Sequence, residues 1–287
     1  MSSLFLDCEF GISGDMIVAS LLDLGADEKK LMRAMDSIDA SGFSIKISRV
    51  TKSGLDCCDF DVILDDKHDG HDHDMEYLYG HEHEGEHIHE HTGHHAHGHD
   101  GHHHGDTGHQ SHDHHEHRGL LEINEIIDGV DAGDGAKTLA KKIFYILAEA
   151  EAKAHATTIE EVHFHEVGAV DSIADIVAAA VCFDDLGIDE VFIPKLCDGQ
   201  GSVRCQHGVI PVPVPAVMNI AAMYGLPLSI TDRAGEYVTP TGAAFAAAVM
   251  TDKKLPEVIV PKKTGMGAGK RDHEVPGILR TVLFDAA

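Results

Sequence analysis

Residues 67–118 hold 20 of the chain's 25 histidines, interleaved with Gly, Asp and Glu. So little apolar surface cannot offset the entropy of ordering the chain, so this tract is expected to stay disordered without a ligand. A compact fold therefore has to be built from the two flanking stretches. We read residues 1–66 as an N-terminal βαββ-like part, 67–118 as a metal-binding insertion and 119–287 as the remainder of the core. The whole chain of 287 residues is long enough to bury a substantial interior.

Outside the tract the hydrophobic periodicity switches repeatedly between helix and strand. Residues 3–8 (SLFLDC) read as a short buried strand, followed by a tight turn at Gly11–Met16. Helical spacing covers 14–24 and 27–37, and alternation at 43–50 and 57–64 suits an antiparallel pair joined at Ser53-Gly54. Further helices are expected at 135–155 and 171–186, the latter capped by Asp171 or Ser172. Others are expected at 216–223, opened by Pro215, and at 243–251, with Thr239 as cap and Pro240 in the first turn. Strands are expected at 189–194, 257–261 and 278–284, with Gly265, Gly267 and Gly269 in a loop between the last two. The sum is an α+β fold, a mixed sheet with packed helices, interrupted by the long His-rich insertion.

Charge narrows the function. Lys plus Arg is 22 and Asp plus Glu is 49, a formal net charge of −27. Such a chain repels nucleic acid and anionic membranes, so neither is expected as a partner, whereas cations are attracted. The six cysteines, Cys8, Cys57, Cys58, Cys182, Cys197 and Cys205, form no C-x-x-C pair and lie mostly in apolar runs. Reduced thiols and no readable signal peptide fit a cytoplasmic protein. No run approaches the ~20 apolar residues of a membrane span.

Imidazole suits nickel, copper, zinc and cobalt, so the tract, with His94, His95, His102, His103 and His104 at its densest, reads as a high-capacity metal binder. Binding should weaken as pH falls through the His pKa of ~6.5. Composition alone does not select the metal. A second cluster is HFHEVGAVDSIAD at 163–175. On an extended segment His163 and His165 project to one side, and Asp171 and Asp175 share a helix face. With Glu166, they can converge on one cation or supply a general base. The order differs from the metalloprotease H-E-x-x-H. Two weaker signals remain. Gly14 and Asp15 open a helix directly after a strand, a context for backbone N–H groups facing an anion or, with Asp15, a cation. Gly267, Lys270 and Arg271 could hold a phosphate, although the spacing is not a Walker loop. His207 reads as a lone structural His.

Taken together, DCEFGISGDM at 7–16, HFHEVGAVDSIADI at 163–176, HGVIPVPVPA at 207–216, GEYVTPTGAA at 235–244 and GMGAGKRD at 265–272 resemble the LarC family, the nickel-insertion proteins of lactate racemase maturation. The resemblance spans nearly the whole chain outside the insertion. It implies a nickel chelatase of the lyase class that inserts Ni(II) into pyridinium-3,5-bisthiocarboxylic acid mononucleotide, forming two nickel–sulfur bonds and one nickel–carbon bond with consumption of CTP. The recipient of the finished nickel-pincer cofactor is lactate racemase. The family's C-terminal domain, expected to hold CTP with Mg or Mn, is not in this chain, so a domain or longer form of the same protein is an expected partner, and homo-oligomers are left open. The residue types point to Glu166, Asp171 and Asp15 for catalysis, Gly14, Gly267, Lys270 and Arg271 for the nucleotide, and His163, His165, Glu166 and Asp175 beside the tract histidines for metal. A non-catalytic nickel store or metallochaperone is the rival reading, because the tract alone suffices for storage. A zinc hydrolase is a third.

Overall fold

A computed structural model describes residues 2–65, 118–164, 169–205, 207–271 and 275–286. The expectations for the histidine tract fall on residues outside this set, apart from its last residue, Arg118.

The two flanking stretches build one sheet. Strands β1 (Ser3–Asp7), β2 (Phe43–Lys52) and β3 (Leu55–Leu64) come from before the tract. Strands β6 (Glu190–Phe192), β10 (Ile259–Ala268) and β11 (Ile278–Ala286) come from after it. Their order is β2-β3-β10-β11-β1-β6. β2 and β3 form the expected antiparallel hairpin, with Phe43 opposite Leu64 and Lys52 opposite Leu55. β3 then runs parallel to β10, β10 antiparallel to β11, β11 antiparallel to β1, and β1 parallel to β6. This mixture of directions is the α+β architecture that the sequence patterns imply.

Helix α1 (Gly14–Leu24) lies across the sheet, with Ile17, Val18 and Leu21 buried. Its C-terminus is closed by Gly25 in the left-handed region, φ 115°. Helix α2 (Glu28–Asp36) follows, with Asp27 accepting from the Lys29 and Lys30 amides. The glycines at the end of the chain decide how near α1 can come. Gly265 and Gly267 sit on β10 rather than in a loop, which corrects the expected boundary. A methyl group on Gly265 would lie 2.1 Å from the Ser20 carbonyl oxygen, and one on Gly267 2.2 Å from that of Met16. Both positions let helix backbone rest directly on strand backbone.

The helical layer over α1 contains α3 (Leu120–Gly129), α4 (Asp134–His155), α5 (Val170–Leu186), α6 (Pro215–Tyr224) and α7 (Pro240–Val249). Pro215 and Pro240 occupy first turns as expected, and the Thr239 hydroxyl accepts from the Gly242 amide at 3.1 Å. The α5 cap differs: Ala169 takes that position and Asp171 falls inside the first turn, where it accepts from the Ser172 amide at 2.8 Å. Short strands β4 (Arg118–Gly119) and β5 (His163–Phe164) pair with each other just before α5. A second sheet, not anticipated in full, orders β7 (Leu196–Cys205) between β8 (Gly208–Val212) and β9 (Leu228–Ala234). Among the described residues no helix is long and apolar enough to cross a membrane.

Candidate functional site

Three segments that are distant in sequence meet at the N-terminal ends of α1 and α5. The turn before α1 is held open by backbone. Gly11 has φ 94°, and a side chain there would collide with the Tyr237 carbonyl oxygen at 2.1 Å. The Ile12 amide donates to that oxygen at 2.9 Å, and the Thr239 amide donates back to Ile12 at 3.1 Å. Chain direction at Gly14 is thus fixed by the segment that opens α7. Ser13 Oγ then donates to Asp15 Oδ1.

Opposite, Asp175 rises from the second turn of α5. A methyl group on Gly14 would lie 2.5 Å from Asp175 Oδ2, so the glycine makes room for this carboxylate at the helix end. Burial pushes the Asp175 carboxyl well above its usual range, and the neighbouring Asp15 and Asp171 push it further, against the opposing pull of Lys270. Clustered carboxylates favour a bound proton or a bound cation over mutual repulsion. Such a group can take up a proton or help hold a metal.

The positive side of the site is already engaged. Lys270 Nζ lies 2.6 Å from Asp59 Oδ1 and 3.4 Å from Asp61 Oδ1, two residues that β3 presents on one face. Arg271 pairs with the buried Glu236 and donates to its carbonyl oxygen at 3.3 Å. An incoming phosphate must compete with these carboxylates.

Asp198 braces the same region from β7. Its Oδ1 accepts from the Gly199, Tyr237 and Val238 amides at 2.8, 2.8 and 3.1 Å, while Oδ2 is buried with no hydrogen-bond partner among the described residues. Burial raises its carboxyl to about 6 despite those three donors, with Glu236 adding to the rise. The folded state therefore holds this proton more tightly than the unfolded chain. Its contribution is largest at acidic pH and is lost as pH rises through about 6. Asp198→Ala should cost about 2–3 kcal/mol, because three amides lose their acceptor. Asp198→Asn, which keeps an oxygen for them, should lose much less and should flatten stability between pH 4 and 6. Paired thermal melts across that range measure both effects.

The predicted residues distribute as follows. Asp15 and Asp171 lie near enough to Asp175 to act on its charge, with Gly14 against it and Lys270 acting the other way. Arg271 points to Glu236, and Gly267 lies beneath α1. His163 enters β5 by backbone pairing with Gly119. His165 and Glu166, like the tract histidines His94, His95, His102, His103 and His104, lie outside the described residues. Among the described residues no three His, Cys, Asp or Glu side chains already converge as a metal site. Asp59, Asp61 and Asp198 were not singled out from sequence. The alternation Asp59-Phe60-Asp61 was a usable signal, since it puts two carboxylates on one strand face. Asp198 gave none, because its role comes from Tyr237 and Val238.

A family model described as nickel insertion protein matches residues 4–287. The chain is 48% identical to the pyridinium-3,5-bisthiocarboxylic acid mononucleotide nickel insertion protein of Alkaliphilus metalliredigens, over 99% of this chain and 61% of that protein. It is 44% identical to the protein of the same description from Clostridium acetobutylicum, over 99% of this chain and 64% of the relative. For the Geobacillus kaustophilus protein the identity is 36%, over 99% and 60%. The chain thus spans about three fifths of the length of the curated relatives it matches. No solved structure gives a significant match.

Proposed function

The chain belongs to the nickel insertion protein family, and we propose that it is the nickel-binding portion of a chelatase that inserts Ni(II) into pyridinium-3,5-bisthiocarboxylic acid mononucleotide. The observation that carries this reading is the grouping of Asp15, Asp171 and Asp175 at two helix N-termini, in a chain whose relatives bear that function in their names.

Nickel is a substrate here. Its bond to the ring carbon replaces a ring proton, so the site must first hold the cation and then accept that proton. Asp171 and Asp15, with Glu166, His163 and His165 from the adjoining segment, supply ligands of the right type for the cation. Asp175, with its raised proton affinity, accepts the ring proton at a carboxylate oxygen. Lys270 and Arg271 take the mononucleotide phosphate by exchanging Asp59 and Glu236 for it. CTP, with Mg or Mn, is used by the family's C-terminal domain or a longer form of the protein, the product passes to lactate racemase, and the reaction takes place in the cytoplasm as a lyase-class chelation. The histidine tract raises the local nickel supply.

The test mixes the chain with Ni(II), the precursor nucleotide, CTP and Mg, with and without the C-terminal portion of a relative, and follows nickelated product by mass spectrometry. Product is expected at least in the mixture with that portion. Nickel binding without product in either mixture would overturn the reading in favour of storage, which the 20 histidines of residues 67–118 would serve.

A further inference from the structure

The last turn of α4 and the β7–β8 turn bring a second set of metal-binding side chains together. Glu151 and His155 are four apart on α4 and share a face, with His155 Nε2 3.4 Å from Glu151 Oε2. Cys205 and His207 flank the turn between β7 and β8, with Cys205 Sγ 3.8 Å from His207 Nδ1. The two pairs face each other, the rings of His155 and His207 having centroids 5.0 Å apart at 36°.

Each separation is close to an edge expected of a single coordination polyhedron. Around a tetrahedral first-row ion with bonds of about 2.0–2.1 Å to nitrogen and oxygen and about 2.3 Å to sulfur, a nitrogen–oxygen edge is about 3.4 Å and a nitrogen–sulfur edge about 3.6 Å. Two ligating imidazoles would then have centroids about 5.2 Å apart. We propose that Glu151, His155, Cys205 and His207 form a site for a single divalent first-row metal ion of the nickel, cobalt and zinc class. The four donors do not meet at one point as they stand. Bringing them to one ion requires these side chains to turn, and His155 at 40% and Glu151 at 20% exposure are not locked in the core.

The site is distinct from the carboxylate cluster. Its side chains come from the last turn of α4 and the β7–β8 turn, whereas the cluster is carried by the N-terminal turns of α1 and α5. It needs neither precursor nor CTP, so it goes beyond the reading above and stands or falls independently of it. One thiolate with two imidazoles and a carboxylate is also chemically unlike the histidine tract, which contains no cysteine.

That difference supplies the test, on the full chain and with Co(II) as the probe. A cobalt–thiolate site gives sulfur-to-metal charge-transfer absorption in the near ultraviolet, which histidine and carboxylate ligands do not. One equivalent of Co(II) per chain is expected to develop this band, and Zn(II) is expected to bleach it. Cys205→Ser should abolish the band, His155→Ala and His207→Ala should weaken cobalt binding at the band by more than about tenfold, and Cys57→Ser should leave it intact. Absence of the band, or its persistence in a folded Cys205→Ser chain, overturns the proposal. Should that variant fail to fold, alkylation of the parent followed by peptide mass spectrometry decides. Zn(II) should protect Cys205 from iodoacetamide, and unchanged labelling would sink the site.

Discussion

Asp175→Asn is expected to lower nickel insertion by about 10²–10⁴-fold, the range for loss of a general base, while leaving the fold at least as stable at neutral pH. The two effects have one cause. In the folded chain Asp175 is pressed against Gly14 and repelled by Asp15 and Asp171. Its carboxyl is raised far above its value in the unfolded chain, so ionisation at neutral pH opposes folding. The sign follows from linkage. Between the unfolded and folded pKa values the native state binds more protons, so stability falls as pH rises through that window and is recovered on acidification. Asparagine has no proton to lose and removes this slope. Insertion assays beside melts from acidic to neutral pH give both readouts. A variant with unchanged insertion would remove Asp175 from the chemistry, whatever its stability.

The legibility of this site in the sequence varies residue by residue. Asp171 and Asp175 could be paired beforehand because helix periodicity relates residues four apart, and α5 forms where that periodicity places it. Asp15 could be placed at a helix start for the same local reason. Their meeting could not be read, because it depends on α1 packing against α5 across more than 150 residues of chain. The Gly-rich segment shows the opposite failure. Three glycines in GMGAGK suggest a loop by composition, since glycine weakens isolated strands. The competing fact is tertiary: β10 needs glycine at 265 and 267 because α1 lies on it. The second sheet was missed for a related reason, since Gly199, which lies against the Gly235 and Arg233 carbonyls, and Gly201, at φ 99°, break the alternation of β7.

The second large effect concerns those glycines. Gly267→Ala and Gly265→Ala are each expected to destabilise the protein by about 2–3 kcal/mol, the usual cost of overpacking, which for a chain of this size lowers the melting temperature by about 4–12 °C. The added methyl at 267 meets the Met16 carbonyl oxygen at 2.2 Å and the Ser20 amide nitrogen at 2.5 Å, and helix backbone cannot rotate away as a side chain can. Relief requires α1 to lift from the sheet, which carries Gly14 and Asp15 away from Asp175. Insertion should therefore fall even in molecules that remain folded. Gly269→Ala is the control. Its methyl would meet mainly the Met16 side chain, Sδ at 3.0 Å, which has three torsions with which to move, so the loss should be under about 1 kcal/mol. A phosphate cradle would give another pattern, in which all three variants keep their melting temperatures and lose nucleotide affinity together. Melting curves of the three variants, with and without the precursor nucleotide, separate a helix-packing strand from an anion-binding loop. If the first pattern holds, the glycines act on the reaction by setting where α1 begins, and only Lys270 and Arg271 at the strand's end remain to meet the substrate's phosphate.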